Sequence, residues 1–287
     1  MSGHGTAKNV QCAKFPICTS VRTLANSTYA TIIRSMEDEL SSRIEELRSV
    51  LSRSRRIAFL GGAGTSTESG IPDFRSEKGV FEAVRRFGHK PEVLLSHDFF
   101  MSHPDVFYEY YRDYLLYPNA KPNDAHRALA SLERAGKLGA VITQNIDGLH
   151  QKAGSKNVLE LHGSVNRNYC MRCKKSFAMR DILAMSGVPK CDCGSMIKPD
   201  VVLYGEGLDE KVLQAAITQI SRADTLIIGG TSLAVYPAAG LMDYFSGRHL
   251  VVLNMSPTAR DTHAALSIRA PIGQVLRRAV LENPLYS

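Results

Sequence analysis

A cluster of four cysteines is the most specific chemical signal in this sequence of 287 residues. Cys170 and Cys173 have the spacing C-x-x-C, Cys191 and Cys193 have the spacing C-x-C, and residues 174–190 separate the two pairs. Close pairs at this separation suit a tetrahedral site in which four thiolates bind one zinc ion. Because four thiolates leave no coordination position open to a substrate, the predicted Zn²⁺ is structural. A redox-active C-x-x-C pair is the alternative.

A second signal is the glycine-rich stretch from Gly61 to Arg75, which follows the apolar run 57–60. A short apolar run of this kind is typical of a buried parallel strand. Gly62 and Gly64 allow a sharp turn and the close approach of a ligand, and a strand followed by such a turn presents backbone N–H groups to phosphates. A tight structural turn is the alternative, because Thr67 stands where a dinucleotide fingerprint has its third glycine.

The same stretch ends in three side chains of different chemistry, Asp73, Phe74 and Arg75. The preceding Pro72 stiffens the chain that carries them. A carboxylate, an aromatic ring and a guanidinium placed side by side suit a site that holds a cationic ring and a pyrophosphate, whereas a structural turn has no need of them. We therefore interpret this stretch as part of a nucleotide site.

Polar side chains follow the predicted strand 140–143, in the run QNIDGLH at residues 144–150. Open α/β sheets bind ligands at the carboxyl ends of their parallel strands, so Asn145 and Asp147 are candidates for a binding role. An Asx-type turn made by the same two residues is the structural alternative.

A histidine ends the alternating run 158–161. His162 is followed by the flexible Gly163, and histidine is the side chain best suited to move protons near neutral pH. A lone histidine at the end of a strand is more often structural, so this position taken alone leaves both roles open.

Together, these motifs resemble those of the sirtuins, the NAD-dependent protein deacylases. The likeness covers about residues 36–280, with the motifs in the order found in that family. The sequence departs from the family at two places. The second cysteine pair is C-x-C where the family usually has C-x-x-C, and we expect Gly194 to provide the tight turn that a shorter pair requires. Tyr204 stands where phenylalanine is usual, which keeps an aromatic ring there.

The resemblance implies roles for the site residues. His162 and Asn145 would be catalytic, His162 as general base and Asn145 by positioning the ribose of NAD, while Asp147 would hold the nicotinamide carboxamide. The other residues implied to bind NAD are Gly62, Ala63, Gly64, Thr65, Thr67, Asp73, Phe74, Arg75, Gln144, Ile146, Gly230, Thr231, Ser232, Asn254 and Ile272. The residues implied to bind the peptide, which would add as a strand with Val202 at the acyl-lysine amide, are Val202, Leu203, Tyr204, Gly205 and Glu206.

The activity implied by the resemblance is NAD-dependent deacetylation of lysine in proteins or peptides. The acetyl group would move to ADP-ribose with release of nicotinamide, with NAD as co-substrate and Zn²⁺ as a structural ion. Mono-ADP-ribosyl transfer, or removal of other acyl groups from lysine, would use the same NAD site and are the alternatives. A zinc-ribbon nucleic-acid binder is the alternative from another class. Direct nucleic-acid binding is not expected, because the basic residues are scattered and no aromatic stacking platform accompanies the cysteines.

The predicted helical module, residues 76–119, indicates which acyl group is preferred. Family members that prefer acidic acyl chains carry Tyr-x-x-Arg there, and the matching stretch in this sequence is Tyr111 to Tyr114. The arginine is missing from its place, although Arg112 is close, so we expect acetyl to be preferred over succinyl. The aromatic residues of this region are expected to form core, with lining of an acyl pocket as the alternative.

The sequence predicts an α/β fold, with a Rossmann-like parallel sheet, helices on both faces, and a small zinc-binding and helical module. An N-terminal extension at residues 1–35 lacks clear periodicity and is predicted to be disordered. The sirtuin-like catalytic domain spans residues 36–280, and 281–287 form a C-terminal tail. The catalytic domain consists of an NAD-binding core at 36–75, 120–165 and 200–280, a helical module at 76–119, and a zinc-binding insert at 166–199.

Composition bounds these predictions. Hydrophobic residues make up 44% of the chain, enough to bury a sizeable core. The formal net charge of +7 favours acidic partners only mildly, because simple solubility explains it equally well. No apolar run approaches the roughly 18 residues of a membrane span, and residues 1–20 lack the apolar segment of a secretory signal. We therefore expect an intracellular protein without membrane contact. The compact length and the short zinc insert look more bacterial than eukaryotic, which favours the cytoplasm.

Overall fold

The structure is a computed structural model that describes residues 17–73, 76–233, 238–258 and 261–286, with only the backbone for 17–33, Glu77 and Lys78. A parallel sheet forms its centre. Its strands are β1 Ile57–Gly61, β2 Leu138–Thr143, β3 Val158–Glu160, β7 Thr225–Gly229, β8 His249–Leu253 and β9 Leu266–Ile268. They lie in the order β3-β2-β1-β7-β8-β9, and every neighbouring pair is parallel. The predicted Rossmann-like sheet is confirmed.

The strands are continuous apolar runs because both faces of the sheet are covered. All residues of β1 are buried. Ala58 and Leu60 belong to a core cluster with Ala216 and Ile220, which lie on the helix α9, Glu210–Ser221. Phe59 alternates with them and points to the opposite face. The other helices are α1 Ile17–Arg53, α6 Asp124–Arg134, α7 Leu149–Lys152 and α10 Ile272–Leu276.

The connectivity of the sheet creates a crevice between β1 and β7. From β1 the chain continues to β2 and β3 on one side, whereas from β7 it continues to β8 and β9 on the other. The strand order therefore reverses between β1 and β7, although these strands are paired from Ile57–Thr225 to Gly61–Gly229. Open α/β sheets bind ligands at such a reversal, beyond the carboxyl ends of the strands.

The helical module and the zinc-binding insert share one hydrophobic core. The module consists of α2 Glu77–Phe87, α3 Pro91–Leu94, α4 His97–Ser102 and α5 Pro104–Tyr114. The insert consists of β4 Gly163–Cys170, β5 Ser176–Ala178, α8 Met179–Ala184 and β6 Ile197–Val201, and its strands form an antiparallel sheet in the order β5-β4-β6. Phe100 and Phe107 of the module pack in the same cluster as Ile182 and Ile197 of the insert. The hydroxyl of Tyr108 also donates a hydrogen bond to the carbonyl of Ile197.

The N-terminal part of the chain differs from its prediction. Helix α1 begins at Ile17, so residues 17–35 are helical where the sequence predicts disorder, and residues 1–16 lie outside the described residues. Once a helix is nucleated, each added residue gains a backbone hydrogen bond without needing an apolar stripe. Ile44, Leu47 and Leu51, which recur three and four residues apart near the C-terminal end of α1, are buried. None of the helices in the described part of the chain is long and apolar enough to cross a membrane.

We predict that Gly230→Ala destabilises the protein. Gly230 has a φ angle of +58°, and a Cβ atom there would overlap the backbone nitrogen of Thr65. The combined strain should lower the free energy of unfolding by about 2 kcal/mol. The measurement is urea unfolding followed by circular dichroism.

The matched control for that measurement is Gly207→Ala. Gly207 is exposed, lacks a positive φ angle, and a Cβ atom there would meet nothing within 4 Å. The control should unfold like the wild type. Equal stability of the two variants would contradict the close packing at Gly230.

Candidate active site

Two glycine-rich turns pack against each other at the crevice between β1 and β7. The N–H of Gly64 donates to the carbonyl of Gly230 at 2.8 Å, and the N–H of Gly62 donates to the carbonyl of Gly229 at 3.2 Å. A Cβ atom at Gly64 would lie only 2.7 Å from the Cα of Gly230. Glycine is therefore needed here for backbone to approach backbone. The 3₁₀ turns at 63–65 and 67–69 follow and separate two clefts.

The first of these, which we call the outer cleft, lies beyond the carboxyl ends of β1, β7 and β8. Its volume is about 440 Å³, within the roughly 300–1,000 Å³ of sites for small molecules. The predicted residues that line it are Gly64, Thr67, Asp73, Gly230, Thr231, Ser232, Asn254 and Ile272. Small residues and hydroxyls on this wall leave room for a phosphate to approach the backbone. The cleft has the size and the glycine-rich wall of a site for a ligand that carries phosphate.

The second, which we call the inner cleft, runs from the glycine turn to the helical module. The predicted residues that line it are Ala63, Gln144, Asn145, Ile146, Asp147, His162 and Leu203. The sheet thus brings the run 144–150 and His162 to one place, although they are separate in sequence. Gly62 and Thr65 are buried and line neither cleft. Of the predicted peptide-binding residues, only Leu203 lines the inner cleft, and its neighbours Val202, Tyr204, Gly205 and Glu206 do not. Phe74 and Arg75 lie outside the described residues.

Ser66 is the centre of the polar network in the inner cleft. Its hydroxyl donates to Asp147 Oδ2 at 2.7 Å and accepts a hydrogen bond from Asn145 Nδ2 at 3.0 Å. The second carboxylate oxygen of Asp147 accepts from the N–H of Leu149 at 2.8 Å. One hydroxyl therefore fixes the orientation of both the amide and the carboxylate, leaving the amide oxygen of Asn145 to accept from a ligand.

The carboxyl group of Asp147 lies in a site that disfavours its charge. Burial raises its pKa above the ordinary value, and the nearby Glu160 adds to the rise. The hydrogen bonds from Ser66 and Leu149 act in the opposite direction but do not cancel the effect. A carboxyl in this position can bind a neutral amide of a ligand through hydrogen bonds at little further desolvation cost.

His162 is held with one nitrogen fixed. Its Nδ1 lies 2.9 Å from the carbonyl oxygen of Gln144. A carbonyl can only accept, so Nδ1 carries the proton and Nε2 is the basic nitrogen of the neutral ring. Gly163, with a φ angle of +74°, turns the chain directly after it, and a Cβ atom there would overlap the carbonyl of Asp200. The geometry suits a general base, because tautomer and ring orientation are set in advance.

Two buried histidines lie beneath this network. His126 and His150 are both fully buried, with ring centroids 4.7 Å apart. His126 Nε2 lies 3.4 Å from the hydroxyl of Ser66, and its Nδ1 lies 3.0 Å from Oδ1 of Asn123. Burial, assisted by the charge of Arg127, lowers the pKa of His126 to about 4. The rings are therefore neutral near pH 7, which keeps positive charge away from the back of the cleft.

The end of the inner cleft that reaches the helical module is apolar and aromatic. Its lining residues from the helical module and the following loop are Leu95, Tyr114, Leu115 and Tyr117, and Val201 and Leu203 line the same cleft. Tyr108, Tyr110 and Tyr111 are core, as expected, whereas Tyr114 lines the cleft. Arg112, the cation close to the missing arginine, does not line the cleft and donates to the carbonyls of Met185 and Gly187. Among the described residues, no lysine or arginine lines this cleft.

The four cysteines converge at one point of the insert. The Sγ atoms of Cys170 and Cys193 are 3.4 Å apart, those of Cys173 and Cys191 are 3.6 Å apart, and all four lie within 4.8 Å of one another. A tetrahedral zinc site with Zn–S bonds of about 2.3 Å requires S···S separations of about 3.8 Å, so the cluster fits Zn²⁺. Gly194, with a φ angle of +82°, makes the turn expected after the short C-x-C pair.

Sequence reasoning missed Ser66, Leu95 of the helical module, and Tyr117 of the loop that follows it. Ser66 lies inside the glycine-rich stretch, between two residues that were assigned to the site, Thr65 and Thr67. Its hydroxyl at that position is the signal that could have identified it. Leu95 and Tyr117 carry no local signal, because an apolar residue in a helical region reads the same whether it faces core or cleft.

Comparisons with known proteins agree with this geometry. A model described as the Sir2 family matches residues 62–237. The chain is 54% identical over 243 residues to an NAD-dependent protein deacetylase of Clostridium acetobutylicum, covering 84% of this chain and 99% of that protein. It is 56% identical to an NAD-dependent protein deacetylase of Clostridium perfringens, with coverage of 84% and 100%. A solved structure of Sir2 with a p53 peptide and NAD⁺ has a TM-score of 0.74 and 43% identity, with coverage of 83% and 98%.

We predict that His126 makes the stability of the protein depend on pH. Its pKa is about 4 in the folded chain against 6.5 for an unperturbed histidine, so only the unfolded chain takes up a proton between these values. The stabilising contribution of the neutral ring is therefore complete above pH 6.5 and is lost as the pH falls towards 4, by about 3 kcal/mol in all. His126→Gln should lose that much less stability than the wild type over this range, measured by urea unfolding.

The control for this comparison is His263→Gln, which replaces an exposed histidine and should follow the wild type. Loss of zinc in acid affects all three proteins and cancels in the difference. Parallel curves for His126→Gln and the wild type would contradict the assignment of a neutral, buried His126.

Proposed function

The chain belongs to the Sir2 family, and from this premise we propose that it is an NAD-dependent protein lysine deacetylase. It removes the acetyl group from lysine in proteins or peptides, transfers it to ADP-ribose and releases nicotinamide. The observation that carries the proposal is the convergence of Asn145, Asp147 and His162 in a cleft that joins the nucleotide crevice to an apolar pocket. No contact among the described residues favours mono-ADP-ribosyl transfer or nucleic-acid binding in particular.

NAD⁺ supplies an electrophilic ribose carbon and a good leaving group, nicotinamide. We assign the outer cleft to its adenosine and pyrophosphate, with Gly64, Gly230 and Ser232 against the phosphates and Asn254 at the ribose. In the inner cleft, Asp147 accepts a hydrogen bond from the amide N–H of nicotinamide, and Asn145 orients the ribose attached to nicotinamide. Phe74 and Arg75 are assigned to the same site by the family resemblance.

His162 acts as the general base at Nε2. Its fixed Nδ1–H bond to the carbonyl of Gln144 points the basic nitrogen in a constant direction, which allows it to take a proton from a ribose hydroxyl. The acetyl-lysine enters the apolar end of the inner cleft, between Tyr114 and Leu203. Enclosure there excludes water and orients a weak nucleophile, the acetyl oxygen.

The zinc ion has a structural role. The four cysteines would close its coordination shell and leave no position for substrate. It stabilises the insert that shares its core with the helical module. Thiolates that bind zinc must stay reduced, and the four cysteines form no disulfide. This supports our proposal of a cytoplasmic location.

The proposed function is tested by nicotinamide release from NAD⁺ with and without an acetyl-lysine peptide. The wild type should release nicotinamide only with the peptide and yield deacetylated peptide. His162→Ala should lower turnover by about a hundredfold or more, because proton removal loses its base. His89→Ala, which replaces an exposed histidine of the helical module, is the control and should be fully active.

Other outcomes of that assay would redirect the assignment. Nicotinamide release that leaves the peptide acetylated would contradict deacetylation. If label from the adenylate half of NAD⁺ then remained on protein, mono-ADP-ribosyl transfer would be the activity instead.

We also predict that the enzyme prefers acetyl-lysine to succinyl-lysine. The carboxylate of a succinyl group would meet no lysine or arginine among the described residues that line the inner cleft. An unpaired buried charge should lower kcat/KM by about tenfold or more relative to acetyl. Tyr114→Arg should reduce this preference by supplying a cation, whereas Tyr114→Phe should retain it. Faster desuccinylation than deacetylation by the wild type would overturn the prediction.

A further inference from the structure

The side chain of Glu206 joins three parts of the structure. It ends the substrate segment, which we define as residues 201–206. Its Oε2 atom accepts from the N–H of Leu203 at 2.9 Å and from Lys198 Nζ at 3.1 Å. Its Oε1 atom lies 2.8 Å from Nδ1 of His97. The carboxylate therefore connects the backbone of the segment to β6 and to the first residue of α4.

The partnership with Lys198 is a buried one. Lys198 is only 6% exposed, and its ammonium group also donates to the carbonyl of Val201 at 2.9 Å. A buried ammonium requires a counter-charge, and Glu206 provides it. Burial alone would raise the pKa of Glu206, but the Leu203 N–H, His97 and Lys198 together hold it below its usual value. Glu206 is therefore a carboxylate with both oxygens already engaged inside the protein.

The substrate segment lies between the catalytic histidine and the helical module. The N–H of Val202 donates to the carbonyl of His162 at 3.0 Å. On the other side, Tyr204 N–H donates to Leu95, and His97 N–H donates to Tyr204, each at 2.9 Å. Val201 and Leu203 line the inner cleft, as Tyr114 does. A shift of this segment would change the width of the pocket assigned to acetyl-lysine.

We propose that Glu206 is a positioning residue for the acetyl-lysine side of the reaction, and that His97 completes its set of partners from the helical module. The proposal rests on the proposed function. It also revises the role implied by the family resemblance, because the carboxylate acts through Leu203 and the segment and not by contacting the peptide. Neither residue lines the outer cleft, so the effect is confined to the acyl substrate.

The test compares KM for an acetyl-lysine peptide, KM for NAD⁺ and kcat in the zinc-loaded, full-length protein. Glu206→Gln should raise KM for the peptide about tenfold, because a charged hydrogen-bond network is lost, with KM for NAD⁺ within about twofold of wild type. His97→Leu should raise KM for the peptide about threefold. His97→Asn, which places an N–H donor near the position of Nδ1, should restore it.

The double variant adds a further readout. If His97 acts through Glu206, Glu206→Gln combined with His97→Leu should match Glu206→Gln alone. The matched controls are Glu210→Gln and His89→Asn, which replace an exposed acid and an exposed histidine without a bond to the segment. Both should keep the wild-type KM for the peptide.

Two results would overturn the proposal while leaving the function intact. They are an unchanged KM for the peptide in Glu206→Gln, or equal rises in KM for the peptide and for NAD⁺. If the wild type does not deacetylate the peptide, the proposed function fails, and amide hydrogen exchange then decides the positioning role. Exchange at Val202 and Tyr204 should be about tenfold faster in Glu206→Gln and faster in His97→Leu than in wild type. Unchanged exchange in both variants would refute it.

Discussion

The contact between the two glycine turns is the constraint on which the site depends. The hydrogen bond from Gly64 to Gly230 holds the turns after β1 and β7 in direct backbone contact, with no room for a Cβ atom between them. Any side chain at either position would push these turns apart. With the turns in contact, the loop from β1 lies between two clefts and exposes one face to each. A dinucleotide that extends across the loop can then place its two halves in different surroundings, one polar and open, the other enclosed.

The inner cleft uses burial to make a few polar atoms selective. Ser66, at 1% exposure, has a single hydroxyl proton and gives it to Asp147, so the amide of Asn145 must turn its nitrogen towards Ser66. Behind them, the neutral rings of His126 and His150 fill space without adding charge. In a medium of low polarity each hydrogen bond orients its partner more strongly than in water, and a polar atom left without a partner costs more free energy. The arrangement is therefore rigid before any ligand arrives, which is what positioning catalysis requires.

Local signals in the sequence predicted much of this, and non-local ones were missed. The apolar run before the glycine-rich stretch placed β1, and the pair of cysteine motifs gave the zinc site. Roles within the clefts came from the family resemblance, since spacing alone left Asn145 and His162 open to structural explanations. The common core of the helical module and the insert was not predicted, because the bond from Tyr108 to Ile197 joins positions far apart in the chain. Nor does any pattern of polar residues reveal that Glu206 faces inward.

The pairing of β1 has a consequence for how the protein is made. Ile57 pairs with Leu138 on one side and with Thr225 on the other, so the first strand synthesised waits for a neighbour that lies more than half the chain further on. Until the ribosome has added residues up to Gly229, the apolar strand Ile57–Gly61 has an open edge. Such long-range parallel pairing forms slowly and leaves nascent chains prone to aggregation. Productive folding of this chain is therefore completed after most of it has been translated, and early termination would yield a fragment with an unprotected strand rather than a smaller folded unit.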